Sequence, residues 1–81
     1  MTDRDIFEVI NGLSAEEERL FANASDGGGL STEDVQRLAD IKVQLDRCYD
    51  LLHQRQGRRD AGLDPAGAEP RTASVVEGYE Q

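Results

Sequence analysis

Cys48, Asp50 and His53 lie within six residues of one another and carry a thiol, a carboxylate and an imidazole. These are the groups that bind zinc or that pass a proton to and from a nucleophile. Spacing argues against both uses. On a helix turning about 100° per residue, Cys48 and His53 point roughly 140° apart, whereas paired ligands sit three or four residues apart on one face. No Ser or second Cys lies at hydrogen-bonding spacing from His53, the one histidine of the chain, and no Glu-x-x-His pair exists to build a carboxylate-bridged metal centre. Glu16-Glu17-Glu18 fans around a helix and reads as a solvated face. Gly27-Gly28-Gly29 lacks the lysine and the preceding strand of a phosphate cradle, so it reads as a flexible turn. No metal, no cofactor and no catalytic residue is expected; the sequence predicts a protein that is not an enzyme.

The other chemically distinctive stretch is basic. His53-Gln54-Arg55-Gln56-Gly57-Arg58-Arg59 could contact the phosphates of RNA or an acidic partner surface. Alternatively, arginines near a helix C-terminus satisfy its last carbonyls and its dipole. The second reading is preferred, because no aromatic residues interleave with the arginines for base stacking. The formal net charge of −8 also disfavours non-specific binding to nucleic acid.

The elements that must position these residues are helical. Thr2, with Asp5 three residues on, forms a possible capping box for a first helix over about residues 3–24. Ile6, Val9, Ile10, Leu13, Leu20 and Phe21 recur at helical spacing and keep their phase across Gly12, so one helix is expected there, kinked at most. Ser25-Asp26-Gly27-Gly28-Gly29 has the length of a turn between antiparallel helices. Ser31 then caps a second helix over about 32–60, with Glu33 and Asp34 at its positive end and Leu30 able to staple onto Val35. Leu38, Ile41, Leu45, Cys48 and Leu52 form its stripe, which Val35 and Tyr49 widen beyond a two-helix seam. Gly62, followed by Pro65, ends it.

The predicted fold is therefore all-α: an antiparallel two-helix hairpin over 1–62 and an extended tail over 63–81. Glu17, inside the first stripe, is expected to pair with Lys42 at the edge of the second and so to fix the register, the alternative being that it snorkels to solvent at the edge of the seam. The lone Cys48 excludes an internal disulfide and reads as a buried thiol. Neither a signal peptide nor a membrane span is apparent, so a soluble cytoplasmic protein is expected. Two helices cannot cover all this apolar surface, with Val43, Leu51 and Phe7 lying beside or off the stripes. The surplus must meet the tail, a second copy or another protein, and a dimeric four-helix bundle covers it most simply. The tail regains apolar character at Val75, Val76 and Tyr79, which reads as a docking segment.

Leu45-Asp46-Arg47-Cys48-Tyr49-Asp50-Leu51-Leu52, the following Arg58-Arg59-Asp60-Ala61-Gly62 and the ending Val76-Glu77-Gly78-Tyr79-Glu80-Gln81 resemble a family of short actinobacterial proteins, a domain of unknown function. In that family Trp is usual where Tyr49 stands here, and a His often stands where Glu18 does. The resemblance implies a bacterial cytoplasmic setting and brings no activity or catalytic residue with it. The leading expectation is a non-enzymatic protein-binding or regulatory module that forms a homo-oligomer and binds protein through Leu51, Arg55, Arg58, Arg59, Val75, Val76 and Tyr79. The second reading is a nucleic-acid- or ribosome-associated factor that uses Arg55, Arg58 and Arg59.

Overall fold

The computed structural model describes residues 1–72 and 76–77. They form an all-α hairpin: helix α1 (Asp3–Gly27), helix α2 (Thr32–Asp60) and a single 3-10 turn at Pro65–Gly67. Among the described residues no helix is long and apolar enough to cross a membrane.

Each helix starts at a side-chain cap. Thr2 Oγ1 accepts from the Asp5 N–H at 3.2 Å, and the Asp5 carboxylate accepts from the Thr2 N–H at 2.8 Å, which satisfies two amides reciprocally. Ser31 Oγ accepts from the Asp34 N–H at 3.1 Å. Helix α1 passes through Gly12 without a break and continues to Gly27, three residues beyond the expected end at 24. Gly28 and Gly29 then take φ of 121° and 84°, and both amides return to the Ala24 carbonyl. The other end of the hairpin closes in the same manner. Gly62 adopts φ 75°, its N–H reaches the Arg59 carbonyl, and the Leu63 N–H reaches that of Arg58, the double bond of a Schellman turn.

The two stripes meet along the hairpin. Ile6, Ile10 and Leu51 form a buried cluster, with Leu45, Cys48, Leu52 and Ala68 packed against it. Leu13 and Ile41 are also buried. Each such side chain contributes about 1.5–3 kcal/mol when fully removed from water.

Beyond Gly62 the chain folds back along the outer side of α2, held by side chains of α2 that donate to backbone carbonyls of the tail. Arg58 donates to Asp64 O at 2.6 Å, Arg55 to Pro65 O at 3.2 Å, Gln54 to Glu69 O at 2.9 Å and Arg47 to Arg71 O at 2.9 Å. The Arg71 guanidinium lies 3.6 Å from Asp50, and Glu77 lies 4.0 Å from Lys42. Val76 is buried. The molecule measures 52 × 27 × 14 Å, a thin layer rather than a ball.

Candidate functional site

The basic end of α2 turns inward. Arg55 is only 8% exposed; its guanidinium pairs with the Asp3 carboxylate and donates to the carbonyls of Met1 and Pro65. Arg59 takes the other Asp3 oxygen and also donates to Gln56. Arg58 holds the tail at Asp64. Hydrogen bonds from Arg55, opposed in part by desolvation and reinforced by Arg59, hold the Asp3 carboxyl below its usual range. The reason is topological: an antiparallel hairpin brings the acidic first turn of α1 beside the last turn of α2. Sequence reasoning missed Asp3, although an acid at the start of one helix and arginines at the end of its antiparallel neighbour are a readable signal.

Two other residues assigned to partner binding are also internal. Leu51, which lies off the α2 stripe, is buried because the tail closes over it together with Ile6 of α1. Val76 is 5% exposed, docked within its own chain. Val75 and Tyr79 lie outside the described residues. Between the tail and the hairpin is a cavity of ≈ 170 Å³, lined by Met1, Ile6, Val9, Cys48, Leu51 and Pro70 among others. Burial pushes the half-buried Cys48 thiol up from its usual value. His53 is exposed.

The register contact differs from the expected one. Arg37 binds Glu16 in a two-pronged pair, with both distances near 2.5 Å (Nε to Oε2 at 2.5 Å, NH2 to Oε1 at 2.6 Å). That hydrogen bond holds the Glu16 carboxyl low and pushes the Arg37 guanidinium up. Lys42 does not serve as the intrachain partner of Glu17, because its amine points toward Asp46 at 3.8 Å and Glu77 at 4.0 Å, on the edge of α2 that the tail reaches. Glu17 is half-buried beside the Glu16–Arg37 contact. Ile41 is fully buried, and Leu38, Leu45, Cys48 and Leu52 are half-buried along the seam.

What remains open is one broad side of the layer. The cavity and the Pro70 stretch of the tail occupy the side that carries Val9 on α1 and Gln44 and Leu51 on α2, while Glu77 farther along reaches Lys42 at the edge of α2. At about 100° per residue, Phe7 and Phe21 lie on the opposite flank of the α1 stripe, and Leu38, Leu45 and Tyr49 on the opposite flank of α2. These residues therefore share the second face. Phe7 is 51% exposed, Phe21 52%, Val35 54% and Tyr49 48%, a concentration of large apolar side chains in water that needs a cover. Among the described residues no group of His, Cys, Asp and Glu that could hold a metal ion accompanies them.

The chain is 44% identical over 78 residues to uncharacterized proteins of Mycobacterium tuberculosis (strain H37Rv) and Mycobacterium bovis, covering 96% of this chain and 90% of each relative. No solved structure matches it. A family model described as "Protein of unknown function (DUF2630)" matches residues 2–81. The chain belongs to the DUF2630 family.

Proposed function

We propose that this protein is a non-enzymatic protein-interaction module whose docking surface is the open apolar face of the hairpin. The observation that carries this reading is the half-exposed set Phe7, Phe21, Val35 and Tyr49 on a layer 14 Å thick. The cavity supports it from the other side: at ≈ 170 Å³ it is smaller than the roughly 300–1,000 Å³ of ordinary small-molecule sites. A lone, unpaired Cys48 suits a reducing cytoplasm. The arginines that a nucleic-acid reading needs are engaged by Asp3, Gln56 and backbone carbonyls, which speaks against that alternative.

The test is site-specific photo-crosslinking in the native cell. A benzophenone side chain replacing Phe21 is expected to trap a protein, whether another copy or a different chain. The same group replacing Ala15, exposed on the outer edge of α1, should trap far less. Equal trapping at both positions, or none at either, would remove the open face as a docking surface.

A further inference from the structure

We infer that the occupant of the open face is a second copy of this chain, stacked so that α1 of each copy lies over α2 of the other. This rests on the docking reading above and adds the partner and its register.

The argument begins with heights along the hairpin. Asp3 is level with Arg55, the Ile6–Ile10 turn with Leu45 to Leu52, and Glu16 with Arg37. On the open flank, α1 thus presents Phe7, then Ser14 and Glu17, then Phe21. At the same levels α2 presents Tyr49 and Leu52, then Lys42 and Leu45, then Leu38 and Val35. Both rows repeat in heptad steps, and both place a polar centre between two apolar ends. A two-fold rotation about an axis parallel to the helices leaves every height unchanged and exchanges the rows. Phe7 then meets the partner's Tyr49 and the partner's Leu52, and Phe21 meets the partner's Val35 and the partner's Leu38. Glu17 then lies within about two helical turns of the partner's Lys42, a separation that the two long side chains reaching toward each other span.

Charge and area both fit. Glu17 is half-buried on this face, and the Lys42 amine lies at its edge with a side chain 65% exposed, so acid faces base twice in the symmetric pair. A molecule 52 Å long and 27 Å wide has room on one broad side for the roughly 800 Å² per partner of a standard interface. All four helices would run antiparallel to their neighbours, the arrangement of a four-helix bundle.

The experiment is a charge exchange read by sedimentation equilibrium on the full chain. The unaltered protein is expected to be a dimer. Glu17→Lys alone and Lys42→Glu alone each place like charges at both contacts and should weaken dimerisation about tenfold or more. An equimolar mixture of the two variants should recover dimers as mixed pairs, because each introduced charge then meets its opposite. Restored association in the mixture is a readout that damage inside one chain cannot produce. Since Lys42 also neighbours Asp46 and Glu77, a second measurement avoids it. In a Cys48→Ser background, chains carrying Phe21→Cys are mixed with chains carrying Val35→Cys and oxidised; mixed disulfides should dominate.

A chain that stays monomeric overturns the self-association, and crosslinking of a different protein at position 21 would then leave the docking reading standing. Dimers unaffected by either charge change, or disulfides formed only between like variants, overturn the register.

Discussion

Arg55 is the residue on which most of the chain converges, since its guanidinium touches Asp3, the Met1 carbonyl and the Pro65 carbonyl. A planar fork can serve three acceptors in fixed directions where an ammonium cannot. Arg55→Ala is therefore expected to lower the melting temperature by roughly 5–10 °C, and Arg55→Lys to recover little of that loss, as circular dichroism melts would show. Asp3 supplies a pH signature. Its carboxyl is held below its unfolded value, so its contribution is present above that value and is lost as pH falls through the lower, folded one. Glu16, held low by Arg37, acts in the same direction. Thermal stability should hold from neutral pH down to about 4 and drop below it. Asp3→Asn should start lower and lose less over that acid range; an identical slope in melts at each pH would count against the assignment. At this scale the sequence disclosed donors better than acceptors. The arginines of α2 stand out in a row of letters, but Met1 O and Pro65 O are backbone atoms that no side-chain pattern marks.

Helices and their ends were the most legible elements. Thr2 with Asp5, Ser31 and the Gly62 turn act through bonds between residues three to five positions apart, so their meaning is local and survives in a linear reading. Gly12 was ambiguous because propensity and stripe disagree there, and packing of Ile10 and Leu13 on either side resolves it in favour of a continuous helix. A methyl group at residue 12 would meet nothing within 4 Å. Gly12→Ala should accordingly stabilise the protein by about 0.5–1 kcal/mol, measured by urea denaturation with an unchanged m-value. No change, or a loss, would show that α1 needs its glycine. The Glu16–Arg37 contact escaped the sequence because register across a turn depends on where α1 stops. Three further residues of helix, to Gly27, shift which side chains face one another.

For the whole molecule, the hairpin was legible and the path of the tail was not. Low apolar content from Leu63 onward reads as extended chain, whereas its fastening depends on Arg58, Arg55, Gln54 and Arg47 reaching across space to main-chain oxygens. Leu51 is the clearest case: off the stripe in sequence, it is core because the tail brings Ala68 and Pro70 over it. Truncation after Leu63 is expected to uncover Leu51 and the cavity, to raise binding of an apolar dye and to lower the melting temperature, while most helical signal remains at 25 °C. Unchanged dye binding would mean that the tail shields nothing. The fastening also has a direction. The tail leaves α2 through the tight turn at Gly62 and runs back beside it, so a force drawing the C-terminus away strains the contacts in sequence, Glu77 with Lys42 first and Asp64 with Arg58 last. Such a zipper geometry yields one bond at a time, and a single molecule held in an optical trap should peel its strap at low force, well before the two helices part.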